Sequence, residues 1–250
     1  MERPLVSIIT PCYNAAQFIA ETIESVLAQT YTNWEMIIVD DCSTDCSAEI
    51  INEYVAQDNR IKYYKTDKPS GGPIAPRNIA LEKAQGEYIA FLDADDLFLP
   101  HKIERQLKLF QDNIAIVFSN YEKIDKNGSR NNRIVVAPKS VSYRKLLQSG
   151  YIGCCTMMCD VSKVSNMKFS NIGQEDWAFQ LDILRKGYIA VNTNTVESLY
   201  RIVENSRSSQ KLKVAKGQWY VLKNVEKLTM FEAIYYFCHY AIKGTLKFFK

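Results

Sequence analysis

The sequence contains little histidine and no long apolar run, and each shortage excludes a class of protein. Only 2 of the 250 residues are histidine, and they cannot complete a zinc site because the 7 cysteines lack a usual zinc-ligand spacing. No apolar run approaches the ~20 residues that a membrane-spanning helix needs. Residues 1–4 run directly into a predicted strand, so no secretory leader is expected. We therefore expect reduced thiols and a cytoplasmic protein.

Glycine-rich phosphate-binding motifs are missing as well. The chain has 10 glycines, but no Gly-x-Gly-x-x-Gly follows any predicted strand, which argues against a dinucleotide cofactor. The apolar fraction of 47% is sufficient for the core of one large domain, or of one domain with an appendage.

Charge is distributed unevenly along the chain. The net charge is +3, but residues 211–250 carry eight lysines against two glutamates, which leaves the other residues with about −3. A basic segment on a slightly acidic body favours an anionic surface as a partner. No nucleic acid is expected as a partner.

Residues 1–100 alternate between apolar strands and amphipathic helices. Near-continuous apolar runs at 5–10, 34–39, 61–64 and 88–92 are typical of strands that are buried on both faces of a parallel sheet. Apolar residues at helical spacing lie between these runs. Right-handed crossovers would make this a doubly wound α/β half-domain.

Residues 101–212 show shorter and more varied signals. The predicted elements are a strand at 114–118, hairpin strands at 121–124 and 133–136, a helix at 143–147, an extended segment at 155–159, a helix from 174 and a strand at 196–201. Asn14 is predicted to cap the first helix, paired with Gln17. The Gly71-Gly72 pair permits positive φ and close backbone approach to a ligand.

Three carboxylates follow the apolar run at 88–92. At the carboxyl end of a central strand, Asp93, Asp95 and Asp96 would repel one another and raise each other's pKa. A divalent cation would relieve this repulsion, and open α/β sheets bind ligands at this edge. The alternative is a polar turn, because Asp suits turns and helix N-caps.

The segment 219–249 combines aromatic residues with flanking lysines. This composition suits a helix that lies in a membrane interface. The alternative is a helical hairpin packed on the domain with its lysines in water.

Five motifs, taken in chain order, give a specific resemblance. They are Pro11-x-Tyr13-Asn14, Val39-Asp40-Asp41-x-Ser43, Gly71-Gly72-Pro73 with Arg77-Asn78, Asp93-Ala94-Asp95-Asp96, and Glu175-Asp176. Over about residues 4–210 the chain resembles the family 2 glycosyltransferases, which transfer a sugar from a nucleotide-sugar with inversion. The resemblance implies a GT-A domain at 1–212 with a mostly parallel central sheet. Its parts would be a Rossmann-like nucleotide-sugar-binding half at 1–100 and a smaller acceptor and catalytic half at 101–212, followed by a basic, aromatic helical tail at 213–250.

The resemblance also assigns roles at the carboxylate cluster. Asp95 would be the main ligand of a divalent cation, Mn²⁺ or Mg²⁺. Asp93 would hold the ribose or a water of the metal, and Asp96 could replace either residue. Asp41 would accept the N3–H of uracil, since that bond needs a group that only accepts.

Other matched residues would complete the site. Pro11 and Tyr13 would line the base pocket, and Arg77 would reach the base or the phosphates. Arg201, with Tyr200 and the polar loop 204–210, resembles a segment that closes over the diphosphate.

Two carboxylates are candidates for the catalytic base. Asp176 matches the base of the family, which takes the proton of the acceptor hydroxyl, and Glu175 is either the alternative base or the residue that orients it. Both lie at the start of a predicted helix, where the helix dipole also favours acidic residues. Many relatives carry a histidine near position 203, where this chain has Val203, so a third protein ligand of the metal is in doubt.

The resemblance extends to a substrate class. The processive members carry Gln-x-x-Arg-Trp after the base, and its absence here predicts the addition of a single sugar. The chain resembles bacterial enzymes that build lipopolysaccharide, capsule or teichuronic-type polymers. This implies transfer of a hexose or N-acetylhexosamine from a UDP-sugar to a lipid-linked or cell-surface glycan, at the cytoplasmic face of the inner membrane. If the segment 219–249 is a membrane anchor, removing the residues after about Gln218 should leave a soluble enzyme that still hydrolyses its donor slowly.

Two other functions remain open on the sequence alone. The first is a non-catalytic, nucleotide-sugar-binding or membrane-docked scaffold of the same fold, for which Val203 is the only sequence support. The second is a nucleotidyltransferase, which would require a glycine-rich loop with Lys or Arg after the first strand. The chain has Pro11-Cys12-Tyr13-Asn14 there instead.

Overall fold

One mixed sheet forms the centre of the computed structural model, which describes residues 3–164, 168–203 and 211–246. Its strands are β1 (Val6–Cys12), β2 (Trp34–Asp40), β3 (Ile61–Lys65), β4 (Tyr88–Phe91), β5 (Leu97–Phe98), β6 (Ile114–Ile124), β7 (Arg130–Val135), β8 (Ser140–Val141), β9 (Met158–Asp160) and β10 (Ile189–Arg201). The spatial order is β3-β2-β1-β4-β9-β6-β10-β5, with β7 beside β6 and β8 beside β10.

Helices cover this sheet and continue into the tail. They are α1 (Ile19–Leu27), α2 (Ser47–Gln57), α3 (Ile74–Lys83), α4 (Lys102–Leu107), α5 (Tyr143–Leu146), α6 (Glu175–Leu184), α7 (Lys211–Tyr220) and α8 (Met230–Leu246). Short 3₁₀ turns lie at Cys154–Thr156 and Val161–Lys163. A π-helical turn at Val221–Val225 continues α7.

The strands β1 to β4 are mutually parallel, as their apolar runs predicted. All residues of β1 and β2 are buried, which explains why these runs do not alternate between apolar and polar residues. The strand β1 lies between β2 and β4, with parallel pairing on both sides. The carboxyl ends of these three strands therefore meet at one edge of the sheet, which is the edge where open α/β folds bind their ligands.

The second half of the chain departs from the predicted elements. The segments predicted separately at 114–118 and 121–124 form the single strand β6. Polar residues continue it because they are satisfied inside: Asn120 is buried, and its Oδ1 accepts bonds from Asn192 Nδ2 (2.9 Å) and the Ala137 N–H (3.0 Å). The last strand also starts earlier than predicted, at Ile189, and follows β6 through irregular pairing.

The predicted capping of α1 by Asn14 is wrong. The helix begins at Ile19, and Phe18 at its N-cap makes no side-chain cap. Asn14 instead has a φ of 47° and its Oδ1 accepts a bond from the Thr44 N–H at 2.8 Å. It therefore joins the loop after β1 to the loop after β2. The chain's 7 cysteines are all free thiols, as expected.

The tail packs on the domain, which is the second of the two alternatives for this segment. Val221, Leu222 and Ala233 are fully buried and belong to the same core cluster as Trp177 and Leu181. Truncation after about Gln218 would therefore remove core side chains, contrary to the expectation of a soluble remainder. Among the helices that the structure describes, none is long and apolar enough to cross a bilayer.

Candidate active site

Asp41 lies at the carboxyl edge of the sheet, directly after β2. Its buried carboxylate accepts bonds from the Ser70 N–H (2.9 and 3.0 Å), Ser70 Oγ (2.8 Å) and Thr66 Oγ1 (3.0 Å). The Asp41 N–H donates to the carbonyl of Cys12 at 2.8 Å. Asp41 therefore closes the loop after β3 onto the ends of β1 and β2. An incoming base N–H would share this carboxylate with Ser70, since a carboxylate has about four acceptor positions.

The neighbouring Asp40 is held by neutral donors in the same way. It is fully buried, and its Oδ1 accepts bonds from the N–H (2.9 Å) and Oγ of Ser43, while its Oδ2 accepts the Tyr63 hydroxyl at 3.0 Å. Burial, and then the hydrogen bond to Asp40, raise the pKa of Tyr63. This hydroxyl therefore stays protonated and donates to Asp40.

The two residues predicted to line the base pocket differ in exposure. Pro11 is buried within β1, where it pairs with Val39 of β2. Tyr13 follows the strand and leaves 57% of its surface exposed. Of the two, Tyr13 is the side chain that is available to a ligand.

The aspartate cluster forms the turn between β4 and β5. Arg77 Nη2 donates to Asp93 Oδ1 at 2.5 Å, and Asp96 Oδ1 accepts the Arg201 N–H at 2.9 Å. Burial, and then the charge of Asp93, raise the pKa of Asp95 to about 6. The pKa of the buried Asp96 is also raised, first by burial and then by Asp95 and Asp93. The predicted repulsion between these carboxylates is therefore present.

Two of the three aspartates suit a divalent cation. In residues 3–164, 168–203 and 211–246, no three His, Cys, Asp or Glu side chains form a metal-ligand group. Asp96 is 1% exposed and bound to the Arg201 backbone, so it is not placed as a ligand. The charge of Asp93 raises the pKa of the nearby Asp95, and cations that bind carboxylates, such as Mn²⁺ or Mg²⁺, compensate such neighbouring negative charges. The residues present therefore fit a cation that completes its coordination with ligand oxygens.

Arg77 connects the cluster to the candidate base. It is 4% exposed, and besides Asp93 its Nη1 lies 3.6 Å from Glu175 Oε1. Burial alone would lower the pKa of Arg77, but Asp93 and other neighbouring charges raise it, so the guanidinium stays charged. The motifs indicated these residues separately; only the fold shows that one buried cation joins the two halves of the site.

Glu175 and Asp176 begin α6 after an unusual backbone turn. Gln174 has a φ of 71°, in the left-handed region that is uncommon for a residue other than glycine. Glu175 is buried, whereas Asp176 is half-buried. Burial, and then the charge of Glu175, raise the pKa of Asp176. A partly exposed carboxyl with a raised pKa is suited to act as a base.

Arg201 lies behind the aspartate turn. Its Nε donates to the carbonyl of Asp95 (2.8 Å), its Nη1 to the carbonyl of Lys126 (3.2 Å), and its Nη2 pairs with Glu21 at 2.5 Å. The side chain is 1% exposed, so this placement favours support of the turn over direct contact with a ligand. The loop 204–210, predicted to close over the diphosphate, lies outside the described residues, while Val203 is half-buried.

Sequence reasoning missed the residues that hold these motifs in place. Ser70 and Thr66 lock Asp41, and Glu21 pairs with Arg201, but single Ser, Thr and Glu residues carry no local signal for such roles. Asn78 was part of a matched motif, and its side chain exchanges two hydrogen bonds with the Phe169 backbone (2.9 and 2.7 Å). This clamp forms one wall of a cleft of ≈ 490 Å³ between 70–78 and 168–171.

Comparisons with known proteins define the class. The fold is that of the GT-A glycosyltransferases. The Pyrobaculum calidifontis mannosyltransferase PcManGT, solved with GDP-Man and Mn²⁺, superposes with a TM-score of 0.72 at 18% identity, over 91% of this chain and 66% of that one. Staphylococcus aureus TarS 1–349 in complex with UDP-GlcNAc gives a TM-score of 0.69 at 21% identity, over 88% and 66%. The chain thus spans just under two thirds of these structures.

The sequence comparison is more specific. The family model "Glycosyl transferase family 2" matches residues 7–163, and the chain belongs to that family. A Bacillus subtilis (strain 168) glycosyltransferase named for teichuronic acid biosynthesis, TuaG, is 41% identical over 98% of both chains. The Escherichia coli UDP-Glc:alpha-D-GlcNAc-diphosphoundecaprenol beta-1,3-glucosyltransferase WfgD is 39% identical over 99% of this chain and 96% of its own. The predicted family, fold class and enzyme class are confirmed.

Proposed function

We propose that this glycosyltransferase moves one sugar, with inversion, from a UDP-sugar to a hydroxyl of a lipid-linked glycan, with the help of a divalent cation. The observation that carries the proposal is the buried Arg77, which pairs with Asp93 at the aspartate turn and with Glu175 beside Asp176. One side chain thus contacts both the candidate cation site and the residue next to the candidate base. The names of WfgD and of the TarS complex support a UDP-sugar donor, and that of WfgD a lipid-linked acceptor.

The base is assigned to Asp176. Inverting transfer needs a group opposite the leaving diphosphate that takes the proton of the acceptor hydroxyl. The pKa of Asp176 is raised by burial and then by Glu175, which makes the ionised carboxylate a stronger base than an ordinary Asp. Glu175 maintains that charge environment and anchors Arg77.

Asp95 and Asp93 are assigned to the cation. When bound, Mn²⁺ or Mg²⁺ would neutralise the charge that develops on the diphosphate leaving group. Asp96 is assigned a supporting role, because its carboxylate is buried and accepts the backbone N–H of Arg201. Arg201 in turn holds the Asp95 carbonyl and so fixes the turn from behind.

The uridine is assigned to the edge formed by β1 and β2. Asp41 would accept the uracil N3–H beside its donors from Ser70, and the exposed ring of Tyr13 would cover the uracil. Arg77 would contribute donors toward the sugar or phosphates. The preference for uridine over guanosine depends on Asp41 alone.

The tail is assigned to the membrane surface that carries the acceptor. Its helix α8 is packed on the domain by Ala233 but exposes Phe231 (87%), Tyr235 (54%) and Ile242 (58%), spaced along one face. Apolar side chains beside lysines suit the cytoplasmic face of an anionic membrane. Phe231→Glu should weaken sedimentation with anionic phospholipid vesicles, whereas unchanged binding would contradict this assignment.

A donor screen tests the proposal. Purified protein would be incubated with Mn²⁺, a panel of nucleotide-sugars and a GlcNAc-diphospho-lipid acceptor, and released nucleoside diphosphate would be measured with and without EDTA. We expect EDTA-sensitive release from one UDP-sugar, and UDP-glucose is the first to test because of the likeness to WfgD. Failure to release any nucleotide, combined with failure to bind UDP in the presence of Mn²⁺, would contradict the proposal.

A further inference from the structure

A contact between two glycines joins the tail to the turn that carries the candidate base. Gly217 of α7 lies against Gly173: a Cβ placed on Gly173 would be 3.5 Å from the Gly217 Cα. A Cβ placed on Gly217 would be 3.2 Å from Gln174 Cγ and 3.3 Å from the Gly173 carbonyl carbon and oxygen. The backbone of the tail therefore packs directly on the backbone that precedes Glu175 and Asp176.

The position of this contact matters because Gln174 sets the direction of α6. Its φ of 71° turns the chain into the helix, and Asp176 follows two residues later. A helix moves as a rigid element, so a displacement at Gly173 or Gln174 is carried to the carboxylates at its start. The left-handed conformation of a residue other than glycine is retained only where its surroundings over-determine it, and Gly217 is part of those surroundings.

The tail also holds the opposite end of the same helix. Arg185, directly after α6, donates to Glu226 of the tail through Nη2 (2.6 Å) and Nε (3.2 Å). The hydroxyl of Tyr143 donates to the same Glu226 carboxylate at 2.5 Å, and the Glu226 side chain is completely buried. Between the two ends, Val221 and Leu222 of the tail lie in the core cluster of the helix.

We infer that the tail positions the candidate base, with Gly217 and Glu226 as positioning residues at the two ends of α6. The inference rests on the proposed function, since it takes Asp176 as the base. Catalysis is sensitive to such placement: a misplacement of about 1 Å caused by a remote mutation can reduce the rate about 100-fold. Helix propensity alone would favour Gly→Ala in an exposed helix, so a loss of activity at Gly217 has to come from close packing.

Substitutions of graded size at Gly217 test the inference. For Gly217→Ala we expect kcat to fall several-fold, and for Gly217→Val by roughly tenfold or more, because the Cβ contacts require shifts of a few tenths of an ångström or larger. The affinity for UDP should fall less than kcat does, since Asp41 is held by Ser70 and Thr66 and not by α6. The matched control is Gly150→Ala, where an added Cβ meets nothing within 4 Å.

Hydrogen exchange gives a readout that does not depend on activity. Gly217→Val should increase amide exchange at 174–178 and leave the strand β2 unchanged, and Gly150→Ala should change neither. Glu226→Gln, which keeps the size of the side chain but weakens its ion pair with Arg185, should increase exchange at the other end of α6 and lower kcat to a smaller degree. Unchanged exchange and kcat in Gly217→Val would overturn the inference.

Two comparisons separate this inference from its premise. If Asp176→Asn retains full transfer, Asp176 is not the base and the proposed function fails. If Asp176→Asn loses transfer while both Gly217 variants keep the wild-type kcat and exchange, only the positioning inference fails. A parallel loss of UDP affinity, kcat and unfolding temperature in Gly217→Ala would show a merely structural contact and would also overturn it.

Discussion

Two groups of carboxylates lie at the same edge of the sheet and are held in opposite ways. Asp40 and Asp41, after β2, accept all their hydrogen bonds from neutral donors such as Ser43 and Ser70. The aspartates after β4 are close enough to perturb one another, and the pKa of Asp95 is raised to about 6 by burial and by Asp93. The carboxylates of the first group are surrounded by neutral donors, whereas in the second group Asp93 pairs with the Arg77 guanidinium and burial and Asp93 disfavour the charge of Asp95.

This difference separates carboxylates that anchor loops from carboxylates that suit a cation better than sequence position does. Both groups follow apolar strands, and both contain adjacent aspartates. A carboxylate that accepts several hydrogen bonds from the protein holds in place the loops that supply those donors. A cluster with raised pKa values has a conformation that a cation would stabilise, which is typical of functional sites. The predictions below test this contrast.

The largest effect is expected at the base. Asp176→Asn removes the proton acceptor, and transfer should fall by about 10²–10⁴-fold. Binding of UDP with Mn²⁺ should be unchanged, because the cation and the uracil ring are assigned to other residues. Initial rates and UDP titrations check this, with the exposed Asp112→Asn as the control. A variant that loses UDP binding along with transfer would contradict the assignment.

The second largest effect is expected among the aspartates after β4. Asp95→Asn should weaken Mn²⁺-dependent UDP binding by at least about 10–100-fold, the range seen when support of a metal site is lost. Its free energy of unfolding without metal should not fall, because the change removes like-charge repulsion. Calorimetric titration and urea unfolding measure the two quantities. Wild-type affinity in Asp95→Asn would exclude it as a ligand.

The aspartates after β2 are expected to behave in the opposite way, with a loss of stability. Asp40→Asn should lower the free energy of unfolding by about 1.5–3 kcal/mol, since charge-assisted bonds from Ser43 and Tyr63 are lost in a fully buried site. Urea unfolding measures this, and the exposed Asp67→Asn is the control, with a change of about 0.5 kcal/mol or less. Equal stability of the two variants would show that Asp40 is not a structural anchor.

The smallest effect is a pH dependence of stability. The pKa of Asp95 in the folded protein lies above its ordinary value of 3.8. The contribution of the Asp95 carboxyl to stability is therefore fully present below pH 3.8 and is lost as the pH rises through about 6. Metal-free wild type and Asp95→Asn should therefore unfold at similar temperatures near pH 4, and the variant at a higher temperature near pH 7. Mn²⁺ should narrow the difference near pH 7. An identical difference in unfolding temperature at both pH values would contradict burial and the charge of Asp93 as the cause of the raised pKa of Asp95.

The sequence could predict elements whose signal is local. The buried runs of β1 to β4 and the carboxylates at their ends follow from apolar pattern and residue type, and the five motifs together indicated the family. The continuity of β6 could not be predicted, because Asn120 accepts hydrogen bonds from Asn192 and Ala137, which are distant in sequence. Asn14 was assigned to a cap because its contact with Thr44 of another loop carries no local signal.

The candidate site shows the same limit. Asp41, Arg77, Asp93 and Asp176 were identified individually, and their roles are still predictions. Their partners depend on which loops the fold brings together. The contact between Gly173 and Gly217 has no sequence signature, since a glycine in a helix ordinarily indicates weak helix propensity and not close packing.

The packing of the tail also bears on the order in which the protein is made and folds. A chain is synthesised from its N-terminus, and domains generally fold as units as they emerge. The sheet and α6 are complete before Val221, Leu222 and Ala233, which fill the core beside that helix, have been added. A nascent chain that lacks these residues has an open core at the helix bearing Asp176. The edge formed by β1, β2 and β4 is thus synthesised well before the residues that pack against α6, so this helix gains its full core only after the tail has docked.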